Sequence, residues 1–121
     1  MWRESMAQNV RVESCMILHD GMQTCIDPSM PLLSVLGKKY TMLILGVLGN
    51  VDHGRNFNEI RREIPGSSTT MISRRLTDLL DLGLITRYES YGRILYSLTD
   101  LGMKVRGDLI PLFMYMEEHP R

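Results

Sequence analysis

The sequence predicts a mainly α-helical fold with one small β-hairpin, and three observations support this class. Helical segments with apolar or amphipathic patterns follow one another from Pro31 onward, a leucine-rich helix among them is stopped by Gly83, and two short strand-like runs come next. The chain has 121 residues, of which 44% are hydrophobic, so it can build one small core. We expect residues 29–121 to form this domain and residues 1–28 to form an N-terminal extension or arm, because prolines 28 and 31 mark a boundary.

The extension shows no clean hydrophobic period. Its VRVESCMIL run (10–18) alternates weakly, which fits a short strand or a frayed arm. Because residues 16–18 are apolar, we expect the extension to help order a dimer. Deletion of residues 1–22 should then change dimer stability.

Three helices precede the leucine-rich one. PLLSVLGKK (31–39) predicts a short helix ending in a glycine, and YTMLILGVL (40–48) is apolar almost all round, which is typical of a central buried helix. Asn56 and Glu59 stand in capping-box positions at the start of a short amphipathic helix, which Pro65-Gly66 ends.

The fourth helix, residues 67–82, begins with four hydroxyl side chains in the run PGSSTTMISRRLTDLLDLGLI. Ser67 or Ser68 is expected to cap it by accepting a bond from a backbone N–H, and Gly83 is expected to end it. An apolar stripe and a polar face separate at helical spacing. The stripe consists of Ile72, Leu76, Leu79 and Leu80, and the polar face consists of Thr70, Ser73, Arg74, Thr77 and Asp81.

The remaining residues predict a hairpin and a last helix. LITRYES (84–90) and RILYSL (93–98) are strand-like, with Gly92 in the turn between them. Thr99 is expected to cap a final helix over 99–121, which Pro111 should kink or split. A helix-turn-helix followed by a two-stranded hairpin is the winged-helix arrangement, so we predict a winged helix-turn-helix fold.

The hydroxyl-rich start of the fourth helix suggests contact with DNA. Small side chains let a helix tip enter a major groove, backbone N–H groups there bind phosphate, and Arg74 can reach guanine edges or phosphates. The formal net charge is zero, but residues 54–77 hold five arginines against two glutamates, and a local basic face is typical of nucleic-acid binders. Each observation alone also fits a simpler structure, in which the hydroxyls only cap a helix and the arginines form an ordinary solvated face.

Several longer motifs carry a family resemblance. They are LGKKYTMLIL (36–45), NFNEIRREIPG (56–66), the run from 67 to 85, YSLTDLG (96–102), and Cys25 followed closely by an acidic residue and a proline. In this order and spacing the chain resembles the HxlR-type helix-turn-helix regulators, relatives of the MarR and PadR winged-helix groups. The resemblance covers roughly Cys25 to Leu112.

This resemblance implies a homodimeric transcriptional regulator that binds double-stranded DNA at a palindromic operator. The first and last helices would build the dimer, helix 67–82 would lie in the major groove, and the wing would touch the flanking minor groove or backbone. Arg75 would contact phosphate from the side of the helix, and Arg93 is the one arginine of the wing. The positions matching the family's reading helix are Ser68, Thr69, Thr70, Ser73 and Arg74.

The sequence departs from the family pattern at several points. Where the family usually has Gly-Gly-Lys-Trp, this chain has Gly, Lys, Lys and Tyr at 37–40. Thr69 replaces the common proline after the helix cap, and Asn56 replaces a basic residue before the phenylalanine. The loop 49–55 is two or three residues longer, and the wing at 89–93 is short.

Two cysteines do not make a disulfide framework. The resemblance places Cys25 where many of these regulators carry a cysteine near the first helix, and in several of them that thiol senses oxidants or electrophiles. A helix N-terminus nearby would make the thiol reactive; the alternative is an inert thiol packed at the dimer surface. Oxidation could also join Cys15 and Cys25 within one chain or between two chains. A zinc site built from these cysteines with His19 and His53 is not favoured, because the spacing is not a standard one.

Other function classes find less support. No Gly-rich phosphate loop, nucleophile elbow or His-Glu helix motif is present, so we expect neither an enzyme nor a cofactor. The main alternative is a winged-helix module that binds a protein partner through its methionine-rich last helix. A small-molecule effector captured at the dimer interface is compatible with DNA binding, and so is an oxidant effector sensed through Cys25. No signal peptide or bilayer-spanning apolar stretch is visible, so we expect a cytoplasmic protein without membrane contact.

Overall fold

The first compact unit of the structure contains a β-hairpin. The structure is a computed structural model that describes residues 14–121, and the chain divides into two units between Ser34 and Val35. In the first unit, β1 (Cys15–His19) and β2 (Met22–Ile26) pair antiparallel around the two-residue turn Asp20-Gly21. The φ angles of the turn are 50° and 77°, and positive φ at both residues is the type I′ geometry that Asp-Gly favours. The expected strand is therefore present from Cys15 onward, whereas the returning strand is not among the elements that the sequence predicts.

The register of this hairpin separates its two cysteines. Cys15 lies directly across from Ile26, and Met16 lies directly across from Cys25. Because neighbouring residues of a strand point to opposite faces, Cys15 and Cys25 lie on opposite faces of the hairpin. Cys15 is exposed and Cys25 is half-buried.

The helices and the second hairpin follow in the predicted order. They are α1 (Pro31–Leu36), α2 (Thr41–Leu48), α3 (Phe57–Glu63), α4 (Thr69–Asp81), β3 (Ile85–Ser90), β4 (Arg93–Leu98) and α5 (Asp100–Glu118). β3 and β4 form an antiparallel two-stranded sheet. The predicted winged helix-turn-helix fold is confirmed.

The core of the second unit lies between α2, α3, α4 and the start of β3. Its fully buried apolar side chains are Ile44, Leu45, Ile60, Ile72, Leu79 and Leu84. Burying one such side chain contributes about 1.5–3 kcal/mol relative to leaving it exposed. The predicted all-round burial of α2 is only partly correct, since Leu43 keeps 47% of its surface exposed.

Side-chain caps define where the helices begin. Asn56 and Glu59 form the predicted capping box of α3, each accepting a 2.8 Å bond from the other's backbone N–H. Ser68 caps α4, because its Oγ accepts from the backbone N–H of Met71 at 3.1 Å. Ser67 instead donates its hydroxyl to the carbonyl of Ile64 at 2.7 Å. These bonds decide between the two predicted cap residues.

Thr99 joins three elements. Its hydroxyl accepts from the backbone N–H of Gly102 at 3.1 Å, which caps α5, and donates to the carbonyl of Gly83 at 2.7 Å. Its own backbone N–H donates to the carbonyl of Leu84 at 3.0 Å. Gly83 ends α4 as predicted, with a left-handed φ of 75°. The end of α4, the start of β3 and the start of α5 are therefore fixed at one residue.

The last helix passes through its proline. α5 continues from Asp100 to Glu118 with Pro111 inside it, so the predicted split does not occur. Pro111 and Gly107, four residues earlier, are both exposed, so the carbonyl that Pro111 cannot bond is open to water. Within residues 14–121, neither α5 nor another helix has the length and apolar character needed to cross a bilayer.

Candidate nucleic-acid interface

α4 presents one buried face and one exposed polar face. Ile72, Leu76 and Leu79 are 0–2% exposed and turn towards the core. Five of the residues predicted to contact DNA lie on exposed positions at the start of the helix or on its outer side: Ser68, Thr69, Thr70, Ser73 and Arg74. These side chains are therefore accessible, and their contact with DNA stays a prediction.

The start of α4 is held by the turn that precedes it. Gly66 in this turn has a φ of 84°, a conformation that glycine adopts without strain. Arg61, on α3, donates from Nη1 to Oγ1 of Thr69 at 3.3 Å. The bond links the two helices of the helix-turn-helix at the end that would approach DNA. Sequence reasoning missed this role of Arg61, because a side-chain contact across a turn leaves no periodic signal.

Arg74 and Arg75 occupy different environments. Arg74 is exposed, whereas Arg75 keeps only 8% of its surface and places its Nε 3.1 Å from Oδ2 of Asp78. Its position explains this burial, since Arg75 is three residues after Ile72 and four before Leu79, beside the apolar stripe. The burial argues against the predicted phosphate contact of Arg75, because only 10% of its side chain is exposed and its Nε lies beside Asp78.

The basic patch is smaller than the sequence suggests. Arg55 is also engaged, with Nη1 3.6 Å from Oε2 of Glu63 and 15% of its side chain exposed. Of the five arginines between 54 and 77, Arg61, Arg62 and Arg74 remain exposed. These three lie on α3 and α4, so the exposed positive charge is concentrated on the helix-turn-helix itself.

Glu59 has a lowered pKa at the edge of this patch. The main cause is the hydrogen bond that its carboxylate accepts from the backbone N–H of Asn56, which favours the charged form. The positive charges of Arg93, Arg55 and Arg62 lower the pKa further, and desolvation opposes them. The carboxylate therefore stays ionised and keeps the capping box closed at neutral pH.

The wing is a six-pair hairpin with an exposed tip. Tyr91 and Gly92 form its turn with φ of 51° and 77°, and Tyr91 is fully exposed. Arg93, the predicted wing contact, is exposed at the start of β4. Arg55 pairs with Tyr96 through two backbone bonds of 2.9 and 2.8 Å, which tie β4 to the residue before the cap of α3.

The cysteines form no metal centre in the described part of the chain. Between residues 14 and 121, no three His, Cys, Asp or Glu side chains converge as a metal ion would require. Cys25 lies in strand β2, and its nearness to a helix start stays a prediction. Nε2 of His19 lies 3.1 Å from Oδ2 of its neighbour Asp20, and both side chains are exposed.

Comparisons with known proteins agree with this geometry. Residues 35–120 match the family model described as HxlR-like helix-turn-helix. The structure resembles a possible HxlR family transcriptional factor from Thermoplasma volcanium, with 48% identity and a TM-score of 0.83, over 87% of this chain and 95% of that one. A comparison with curated proteins gave no match.

Two redox-related structures are also similar. The reduced form of the transcriptional regulator YodB from B. subtilis is 26% identical, with a TM-score of 0.62, over 73% of this chain and 87% of that one. YodB is also among the similar structures in diamide-treated and quinone-bound forms. The redox regulator HypR in its reduced form is 25% identical, with a TM-score of 0.63, over 74% of this chain and 89% of that one.

The match to the family model covers well over half of the chain, and it includes every helix of the winged helix-turn-helix from α2 to α5. The chain belongs to the HxlR-like helix-turn-helix family of transcriptional regulators.

Proposed function

We propose that this protein is a sequence-specific DNA-binding transcriptional regulator that acts as a homodimer on a palindromic operator. The observation that carries the proposal is the exposed polar face of α4, with Arg74 at its centre and the core behind it. An α-helix fits a major groove, where each base pair presents a distinct pattern of hydrogen-bond donors and acceptors.

The start of α4 supplies the contacts that the proposal needs. Thr69 and Thr70 are small and exposed, so they allow the helix end to approach the sugar-phosphate backbone closely. Ser73 and Arg74 follow on the next turn, where they would face the base edges. Arg74 can bind guanine through O6 and N7.

The other exposed arginines would position the helix. Arg62 on α3 and Arg93 on the wing both lower the pKa of Glu59 through their positive charge. They would contact phosphates flanking the bases that α4 contacts, which adds affinity without sequence preference. Arg75 is left out of this set because of its burial.

A homodimer would give the two-fold symmetry of a palindrome. α5 carries an exposed apolar set in the second unit, which includes Leu101, Leu112, Tyr115 and Met116. Exposed apolar side chains in such number mark an interaction surface. A dimer through α5 would place two copies of α4 on half-sites about one helical turn, ~34 Å, apart.

The test is the affinity for DNA upstream of the protein's own gene, measured by fluorescence anisotropy at several salt concentrations with excess nonspecific competitor. We expect saturable binding that survives the competitor. The logarithm of the binding constant should fall linearly with the logarithm of the salt concentration. Arg74→Ala should weaken operator binding by ~1–3 kcal/mol and relax base preference. Lys104→Ala, which removes an exposed positive charge from α5, serves as the matched control and should leave base preference unchanged.

Two outcomes would contradict the proposal. Equal losses in Arg74→Ala and Lys104→Ala, with the same base preference, would show that α4 does not make base contacts. No DNA binding even at low salt would instead favour the protein-interaction module, with α5 as its binding surface.

We also propose that oxidants regulate this protein through Cys25. The support is the similarity to YodB, solved in reduced, diamide-treated and quinone-bound forms, and to the redox regulator HypR. Since Cys15 and Cys25 lie on opposite faces of one hairpin, a disulfide between them would require the hairpin to rearrange. Oxidation should therefore link cysteines of two chains or modify Cys25 alone.

Diamide treatment followed by non-reducing electrophoresis and mass measurement tests this second proposal. We expect either a disulfide-linked dimer or an adduct on Cys25, together with altered operator affinity, and Cys25→Ser should abolish both while Cys15→Ser preserves the change in affinity. An oxidation response that survives Cys25→Ser would contradict the assignment.

A further inference from the structure

The segment 37–40, between α1 and α2, contacts the helix-turn-helix at two separate points. Its tyrosine, Tyr40, donates its hydroxyl to the carbonyl of Gly66 at 3.2 Å, in the turn just before α4. Its first lysine, Lys38, places Nζ 3.6 Å from Oδ2 of Asp78, in the second half of α4. The segment therefore contacts the turn before α4 and the second half of α4.

The backbone of Tyr40 indicates that the first contact is specified by the fold. Tyr40 has a φ of 76°, in the left-handed region that side chains other than glycine seldom adopt. Such a conformation persists only where the surrounding contacts over-determine it. The bond to Gly66 is one of those contacts, and the Nζ of Lys39 lies 5.2 Å from the centre of the Tyr40 ring as another.

The second contact completes a cluster around a partly buried carboxylate. Asp78 has 24% of its side chain exposed, and its Oδ2 faces both Lys38 and the nearly buried Arg75. Lys38 is 42% exposed, so water screens its share of the interaction. Arg75 and Asp78 both belong to α4, whereas Lys38 belongs to another element. Lys38 is therefore the member of the cluster that can fix α4 relative to its surroundings.

These two contacts add to the restraint that the apolar stripe of α4 supplies, together with the bonds of Arg61 to Thr69 and of Thr99 to Gly83. Apolar burial is non-directional, so the stripe keeps α4 on the core without defining its rotation closely. The hydrogen bond of Tyr40 is directional, and the charge pair of Lys38 adds a second point of attachment farther along the helix. Base contacts by a side chain such as that of Arg74 need the helix held within about 0.5 Å of its working position.

We propose that Tyr40 and Lys38 are positioning residues for α4, and that they set its discrimination between DNA sequences by holding the helix rather than by contacting bases. This inference rests on the proposed DNA-binding function. It assigns part of the sequence specificity to residues outside the helix that makes the base contacts.

The first test uses Tyr40→Phe in the full chain without DNA. The variant keeps the ring and removes only the hydroxyl that binds Gly66. We expect amide hydrogen exchange at residues 66–72 to become about two- to tenfold faster, which corresponds to the loss of one ordinary hydrogen bond. Tyr96→Phe is the matched control, because Tyr96 is half-buried like Tyr40 and no hydrogen bond of its hydroxyl is seen within the described residues, and it should leave this exchange unchanged.

The second test measures the ratio of affinities for the operator and for a scrambled duplex. In Tyr40→Phe and in Lys38→Met we expect this ratio to fall about two- to fivefold, the range for one weak polar contact. The salt dependence in Tyr40→Phe should stay as in the wild type, because no phosphate contact is lost. Lys38→Arg can still pair with Asp78 and should restore the ratio that Lys38→Met loses.

The outcomes separate this inference from the function on which it rests. Unchanged exchange at 66–72 in Tyr40→Phe, or faster exchange with an unchanged ratio in both variants, would overturn the positioning role. A wild-type protein that binds operator and scrambled DNA equally would overturn the proposed function. The exchange data, obtained without DNA, would then still report whether Tyr40 holds α4.

Discussion

Arg74 and Arg75 are adjacent in sequence and differ in burial and in ion pairing. One is exposed on the outer side of α4, and the other is nearly buried beside Asp78. Arginine is well suited to both settings, because its long stem packs against apolar atoms while its fork makes ion pairs and hydrogen bonds. The same residue type therefore serves the interface at one position and the stability of the domain at the next.

Replacing Arg75 should cost stability. Arg75→Met keeps most of the buried stem but leaves the carboxylate of Asp78 with Lys38 as its remaining cation, so we expect the free energy of unfolding to fall by about 1–3 kcal/mol. Urea denaturation measures this loss. Arg74→Met is the matched control and should change stability by no more than about 0.5 kcal/mol, because the site is exposed. Equal effects of the two substitutions would mean that the Arg75–Asp78 pair is not stabilising.

The capping box of α3 should make stability depend on acidity. Because the pKa of Glu59 is lowered in the folded state from its ordinary value of 4.5, the charged carboxylate stabilises the fold above that value. The contribution is lost as the pH falls through the lowered pKa. Glu59→Gln should lack this contribution, so the difference in thermal stability between wild type and variant should be largest near neutral pH and shrink towards pH ~3. A difference that stays constant with pH would contradict the assignment.

Among single residues, the sequence was informative where a period or a cap motif applied. The capping box of Asn56 and the exposed position of Arg74 follow from spacing alone. The burial of Arg75 was available from the same spacing, three residues from Ile72, but its charge favoured a surface role. The bonds of Arg61 to Thr69 and of Tyr40 to Gly66 join residues 8 and 26 positions apart, and no local pattern encodes them.

At the scale of the element, α5 carries two glycines with opposite structural roles. A Cβ on Gly102 would collide with the backbone carbonyl of Leu84, whereas a Cβ on Gly107 would meet no atom within 4 Å. Gly102 thus permits the close approach of α5 to the start of β3. Gly107 makes no such contact.

Alanine at these two positions should therefore have opposite effects. Gly102→Ala should destabilise by about 1–3 kcal/mol, because the backbone must shift to relieve the overlap. Gly107→Ala should stabilise by about 0.5–1 kcal/mol, since alanine loses less conformational entropy in an exposed helix. Thermal and urea denaturation of the two variants check both signs. A neutral Gly102→Ala would show that α5 can move away from β3 without cost.

The strands differ in how clearly the sequence predicts them. β4 coincides with the predicted run 93–98, because the run is mostly apolar and a glycine precedes it. β1 and β2 were harder, since apolar residues occur on both faces of a hairpin whose residues are mostly exposed. The turn Asp20-Gly21 was the local signal for this hairpin.

At the scale of the whole molecule, the proposed dimer depends on one side of α5. Leu112 and Met116 are four residues apart and share a face, whereas Met114 lies on the other side of the helix. All three are at least 41% exposed. Because Met114 points away from the face of Leu112 and Met116, a substitution there can serve as a control on the same helix.

Charged residues on the proposed dimer face should separate the subunits. Leu112→Asp combined with Met116→Asp should give a monomer in sedimentation experiments and lower operator affinity at least tenfold, because the two half-sites would be bound independently. Met114→Asp should stay dimeric. A protein that is monomeric before substitution, or dimeric after it, would rule out this face as the interface.

The junction at Thr99 has a consequence for the DNA that such a dimer would accept. Short hydrogen bonds of Thr99 join the end of α4 to the start of α5, so we expect the two helices of each subunit to move as one rigid unit. Inserting one base pair between half-sites moves them about 3.4 Å apart and turns one relative to the other by roughly 34°, since a turn holds about 10.5 base pairs. A flexible linker would absorb that change. A rigid unit would not. The affinity for the operator should therefore depend on the spacing of the half-sites as strongly as on their base sequence.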